Sequence, residues 1–150
     1  MSVLLLAAST QDYSKGFAAF TVSDYEAALQ EWRPLAKQSH AAAQGSLGAM
    51  YESGDGVPQD YAEAAKWNLL AVEKGHAFAQ TNLGLMYLSG KGVPKDFILA
   101  HMWLNIASAN GPADAGERRD RQACTITPDA LSDARDRARA CMRSNYQDCD

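Results

Sequence analysis

The stretch Ala43-Gln44-Gly45-Ser46-Leu47-Gly48-Ala49-Met50-Tyr51-Glu52-Ser53-Gly54-Asp55-Gly56-Val57-Pro58-Gln59-Asp60-Tyr61 recurs without a gap as Ala79-Gln80-Thr81-Asn82-Leu83-Gly84-Leu85-Met86-Tyr87-Leu88-Ser89-Gly90-Lys91-Gly92-Val93-Pro94-Lys95-Asp96-Phe97. The offset is 79 − 43 = 36 residues, and it persists through the pairs Ala64 and Ala100, Trp67 and Trp103, Ala71 and Ala107, and Gly75 and Gly111. Self-similarity at a fixed period of this size marks a stack of like structural units.

Each unit reads as two helices. Ala43, Leu47, Met50 and Tyr51 fall at i, i+4, i+7 and i+8, the one-face spacing of an amphipathic helix. A glycine inside a helix costs about 1 kcal/mol against alanine, so Gly48 and its repeat Gly84 imply a neighbouring helix at close range. The Gly54/Gly56 and Gly90/Gly92 pairs, each followed by Val-Pro, stop the first helix and turn the chain. Asp60 and Asp96 then stand where an N-cap is needed, and Glu63 is placed to complete a capping box with Asp60. The second helix runs through Ala64, Ala65, Trp67 and Ala71 to Lys74-Gly75, a cation before a terminating glycine.

Outward from these two copies, Asp24-Tyr25, Ala28 and Leu35-Ala36 match Asp60-Tyr61, Ala64 and Ala71-Val72 at the same offset. A degenerate unit therefore precedes them, its first helix around Tyr13 to Phe20 and its turn tighter for want of the glycine insertion. After them come a helix over Ala115 to Ala123 and a last helix opened by Thr127-Pro128 as N-cap and N1, carrying Ala130, Leu131, Ala134, Ala138 and Cys141 inward. Asp133 and Arg137 are spaced for an i, i+4 ion pair. The expected organisation is a degenerate repeat over 11–42, repeats over 43–78 and 79–114, and a cap over 115–150, with 1–10 either the remnant of a signal peptide or an N-terminal turn.

The pattern A-Q-x-x-L-G-x-M-Y-x-x-G-x-G-V-P-x-D-[YF], followed by A-x-x-W-x-x-x-A and G, resembles the Sel1-like repeat family, a relative of the tetratricopeptide repeats. The resemblance implies an all-α fold: a right-handed α/α solenoid of antiparallel helix pairs with a C-terminal capping helix. It also implies a concave groove, lined by the first helices, that binds a protein or peptide without catalysing a reaction. One helix pair cannot bury its apolar face alone, so such units stack on their neighbours. On the first helix of repeat 79–114, Thr81, Leu85 and Leu88 form a stripe about 200° from the core face. With Gly45, Ala49 and Glu52 of the preceding repeat, they are the expected groove, unless the C-terminal segment folds back over them. Some cysteine-rich secreted relatives are described as binding or slowly hydrolysing β-lactams, the alternative reading. Those carry a cysteine pair in each repeat, and this chain has none there.

Composition narrows the partners further. A chain of 150 residues, 47% hydrophobic and 21% charged, suits one globular domain. Its net charge of −4 without any dense Lys/Arg segment disfavours nucleic acid and anionic membranes. The apolar run from Val3 to Ala8 is far below the roughly 20 residues that span a bilayer. No metal or cofactor motif is present: His40 and His76 sit after a second helix, where they are expected to meet helix-end carbonyls, and His101 has no ligand-spaced neighbours. Trp67 and Trp103 are expected in the core. Cys124, Cys141 and Cys149 are confined to the C-terminal end. A Cys141–Cys149 bridge is expected because seven intervening residues can turn back, with Cys124–Cys141 and Cys124–Cys149 as alternatives. A bridge of this kind points to a periplasmic or secreted protein, with the cytoplasm as the alternative.

Overall fold

In a computed structural model, which describes residues 11–111, 113–123 and 126–150, the described residues fold into α-helices and the turns between them. The helices are α1 (Tyr13–Thr21), α2 (Tyr25–Lys37), α3 (Ala41–Ser53), α4 (Tyr61–Val72), α5 (Ala77–Ser89), α6 (Phe97–Asn110), α7 (Ala113–Ala123) and α8 (Pro128–Arg143). Consecutive helices pack in pairs, α1 on α2, α3 on α4 and α5 on α6, and α7 and α8 both close on α6. This is the expected solenoid of helix pairs. Cys124 and the segment 1–10 lie outside the described residues.

Local chemistry sets the helix starts. Asp24, Asp60 and Asp96 each accept backbone N–H bonds through a carboxylate oxygen, from Ala27, from Ala62 and Glu63, and from Ile98 and Leu99. Thr127 caps α8 through Ala130 N–H, with Pro128 at the first turn as expected. Glu63 does not complete a capping box. Its carboxylate takes Lys66 Nζ at 2.6 Å, because the Asp60 N–H already donates to the Tyr51 carbonyl at 2.9 Å.

Within each repeat the helices approach at a glycine. A methyl group on Gly48 would lie 2.9 Å from Asn68 Oδ1, and one on Gly84 would lie 2.8 Å from Leu104 Cγ. Gly16 meets Trp32 in the same way in the degenerate repeat. The separations along the chain are 68 − 48 = 20, 104 − 84 = 20 and 32 − 16 = 16, so the first pair keeps the contact with a turn four residues shorter.

Between repeats, the Gly-x-Gly turns do more than stop a helix. Gly56 lies against Tyr25, where an added Cβ would be 2.5 Å from the tyrosine Cβ, and Gly92 lies against the backbone of Tyr61. Each turn thus rests on the start of the preceding repeat's second helix. Gln44, fully buried, ties the same interface by donating from Nε2 to the Ala36 carbonyl at 3.1 Å. The core follows this stacking: Trp32, Leu47 and Met50 fill one cluster, and Val72, Leu83, Met102, Trp103 and Ile106 fill the next. Trp103 is buried as expected, whereas Trp67 is half-buried at the margin of the first cluster.

α8 closes the stack with Ala134, Ala138 and Cys141 inward, and Asp133 and Arg137 pair at 3.1 Å on its outer side. Cys141 and Cys149 stand at disulfide distance, with Cα atoms 4.5 Å apart. The loop between them folds back on the last repeats. Tyr146 packs on Gly75 and its hydroxyl oxygen accepts a bond from Asn110 Nδ2 at 2.6 Å, while Gln147 Nε2 donates to the Glu73 carbonyl at 3.4 Å.

Two outcomes are expected. Gly92→Ala must push a methyl group into the Tyr61 carbonyl at φ +76°, whereas Gly90→Ala at φ +71° meets only Lys95 Cβ at 3.3 Å. Gly90→Ala should cost about 1–2 kcal/mol for the left-handed backbone alone, and Gly92→Ala about 2 kcal/mol more from overpacking. Thermal unfolding followed by circular dichroism should show Gly92→Ala melting several degrees below Gly90→Ala; equal midpoints would contradict the inter-repeat contact. Peptide mapping of unreduced protein should recover Cys141 and Cys149 in one linked species, and alkylation of both would refute the pairing.

Candidate functional site

Residues of the first helices α1, α3 and α5 line two adjoining cavities that make a groove. At its N-terminal end is a pocket of about 250 Å³ lined by Tyr13, Phe17, Phe20, Trp32, Ser46, Ala49, His76 and Phe78. Its aromatic wall is ordered by ring contacts: Tyr13 stacks on Trp32 with centroids 5.5 Å apart, and Phe20 tilts against Trp32 at 5.6 Å. Hydrogen bonds hold that wall in place, from Trp32 Nε1 to the Tyr13 carbonyl at 3.2 Å and between the Tyr13 and Ser46 hydroxyls at 3.1 Å. Phe17 and Phe78 keep 53% and 50% of their surface in solvent.

A second cavity of about 480 Å³ continues from the first, sharing Phe20, Ala49 and Phe78, and its far side is charged. Glu52 and Asp55 line it together with Lys91, whose ammonium sits 5.0 Å from the centre of the Tyr61 ring. Burial pushes the Glu52 carboxyl above its ordinary range, and the Lys91 charge pulls it only partly back. Among the described residues no cluster of three His, Cys, Asp or Glu is placed to hold a metal ion.

A family model described as "Sel1 repeat" matches residues 41–76 and 77–112, which are the α3–α4 and α5–α6 units with their turns. The chain carries two Sel1 repeats. Among solved structures it is similar to a protective antigen present in uropathogenic Escherichia coli strains displaying an SLR fold, at 28% identity and a TM-score of 0.82 over 87% of this chain and 30% of that one. It is also similar to a Sel1 repeat protein from Oxalobacter formigenes, at 32% identity and a TM-score of 0.68 over 72% of this chain and 44% of that one. This chain thus spans less than half the length of either. No curated protein matches it in sequence.

On the Sel1 scaffold the expected groove residues divide. Ala49 and Glu52 line the cavities. Gly45 and Thr81 do not face the groove, which corrects the sequence expectation. Gly45 is buried against the His76 ring and Ala79 of the next repeat, and Thr81 is 7% exposed with its hydroxyl bonded to the Ala77 carbonyl at 3.0 Å. Their neighbours Ser46 and Asn82 line the cavities instead. Leu85 and Leu88 are half-buried on α5 and belong to neither cavity. The aromatic residues Tyr13, Phe17, Phe20 and Phe78 escape the sequence reading, since three of them fall in the degenerate repeat and Phe78 has no aromatic counterpart 36 residues earlier, where Ala42 stands.

The histidines serve both neighbouring helices. Their backbone N–H groups meet carbonyls at the end of the preceding helix, His40 on Leu35 at 3.0 Å and His76 on Ala71 at 3.4 Å, while their side chains cap the following one. His40 Nδ1 accepts the Ala43 N–H at 3.2 Å and His76 Nδ1 accepts the Ala79 N–H at 3.3 Å. His76 is pushed below its ordinary value of 6.5 by burial and then by His40. His101, 1% exposed, is lowered by burial and by Arg119 and Arg135 against the opposing Asp120. Both bind protons more readily unfolded than folded. Their contribution to stability is therefore complete above about pH 6.5 and is lost as pH falls through the window below it. The melting temperature should be level from pH 8 to 6.5 and decline toward pH 5, and His76→Asn, which can cap without titrating, should decline less steeply. An unaltered slope in that variant would remove His76 from the account.

Proposed function

We propose that this Sel1-repeat protein is a binding module that takes an apolar side chain of a protein or peptide partner into the pocket between α1, α3 and α5. The observation that carries the reading is the pair of half-exposed rings, Phe17 and Phe78, on one concave pocket with a rigid Tyr13–Trp32 wall. Burying a phenylalanine fully is worth about 1.5–3 kcal/mol, so two rings left half in water retain a driving force for a partner that covers them. A wall already locked by stacking and hydrogen bonds loses little entropy on binding.

Ala49 and Glu52 contribute to this surface from α3. Leu85 and Leu88, their counterparts 36 residues on, extend it along α5 in the same proposal. Sel1 repeats typically serve as protein-interaction scaffolds, which agrees with a groove lined by apolar rings. The cysteine pair at disulfide distance supports an oxidising compartment outside the cytoplasm. No helix among the described residues is long and apolar enough to cross a membrane.

The test is selection from a random peptide library on the folded protein. Selected peptides should carry an aromatic or branched aliphatic anchor, and the Phe17→Ser/Phe78→Ser double variant should bind them at least tenfold more weakly with its melting temperature within about 2 °C of the parent. Peptides that bind the double variant equally well would place the interaction elsewhere.

A further inference from the structure

The groove joins an aromatic end to a charged end, and the two are fixed relative to each other by one helix. Ser46 and Ala49 line the aromatic pocket, while Ala49, Glu52 and Ser53 line the charged cavity. At about 1.5 Å of rise per residue, Ser46 and Ser53 are about 10 Å apart along α3. An extended peptide covers that distance in about three residues.

The charged end is not balanced. Glu52 and Asp55 supply two carboxylates against the single ammonium of Lys91. Lys91 is committed in part to the face of Tyr61, at 5.0 Å, and the Asp55 carboxylate accepts a bond from the Ser53 hydroxyl at 2.6 Å. The half-buried Glu52 carboxylate therefore faces a cavity wide enough for a side chain, with a neighbouring cation whose ammonium lies over a ring. A chain with a net charge of −4 adds a general bias toward cationic partners.

We propose that the partner segment is an extended peptide carrying an apolar anchor and, about three residues away, an arginine or lysine that pairs with Glu52. This rests on the reading of the aromatic pocket as a docking site and adds the charge that selects among apolar peptides. A guanidinium or ammonium brought to a half-buried carboxylate forms a charge-assisted bond, whereas a carboxylate of the partner would be repelled there.

The probe is a glycine-serine peptide bearing one phenylalanine and one arginine three positions apart. It is compared with versions carrying glutamate for the arginine or glycine for the phenylalanine. Titration of the isotope-labelled protein, followed by NMR, reads dissociation constants into the millimolar range. The arginine peptide should bind the parent about five- to tenfold more tightly than the glutamate peptide at low salt, less so at high salt. That preference should fall to about twofold or less in Glu52→Gln and invert in Glu52→Lys, both checked for an unchanged melting temperature. Equal affinity of the arginine and glutamate peptides for the parent, with the phenylalanine still required, overturns the charge inference alone. A preference that survives in Glu52→Gln also overturns it, because another group then supplies the charge. Failure of every phenylalanine peptide to bind overturns the aromatic pocket and this inference together.

Discussion

Three glycine contacts hold the helix pairs at their separation, and the rest of the stack is built on that separation. Gly16 on Trp32, Gly48 on Asn68 and Gly84 on Leu104 leave no room for a methyl group between the paired helices. The partner residue can change from an aromatic to an amide to an aliphatic because each side chain meets a backbone that carries no Cβ. The glycine cannot change in the same way. The degenerate repeat demonstrates the hierarchy: it loses four turn residues yet keeps the contact, so the helix pair does not need the glycine-rich turn in order to form.

That turn serves the next level of assembly. With Gly56 on Tyr25 and Gly92 on Tyr61, each inserted turn meets the repeat before it, at the residue after the aspartate that caps the second helix. Gln44 reaches the Ala36 carbonyl across the same junction. Stacking one repeat on another thus satisfies a helix-end acceptor and buries a turn. A solenoid whose neighbours hold each other through backbone groups can vary its outer face freely, and positions on the first helices do vary between the repeats: Ala42 against Phe78, Ser46 against Asn82, Glu52 against Leu88.

How far the sequence was legible follows from the same distinction. The fold could be read because its determinants recur: the period, the glycines at 48 and 84 and the aspartate caps all hold in the structure, as does the Thr127-Pro128 start of the last helix. The groove was legible only in outline. Helical spacing puts Gly45, Ala49 and Glu52 on one face, but it could not show that His76 and Ala79 of the next repeat close over Gly45 while Ala49 and Glu52 stay on the cavities. Periodicity could not show that His40 and His76 cap the next helix, since the residue between two helices can serve either one. Nor could the capping pattern show that Asp60 N–H had a backbone partner at Tyr51, which left Glu63 free for Lys66.

The end of the stack faces a different problem from its middle. Lys74 Nζ bonds Gln44 Oε1 at 3.2 Å, and Asn110 Nδ2 occupies the equivalent place against Gln80 Oε1 at 3.3 Å. Asn110 Nδ2 bonds Tyr146 as well, so the C-terminal loop ties into the same periodic site. The loop carries Asn145 and Tyr146 at φ of +55° and +64°, a backbone conformation that costs about 1–2 kcal/mol per non-glycine residue. α8 offers little to offset this, since its fully buried residues are two alanines and Cys141. A covalent link from Cys141 to Cys149 would restrain the unfolded chain and so favour this loop without a larger apolar face. The helix that ends the solenoid can then stay polar outward, as a terminal unit must, while the ends of α4 and α6 are covered by Tyr146 and Gln147.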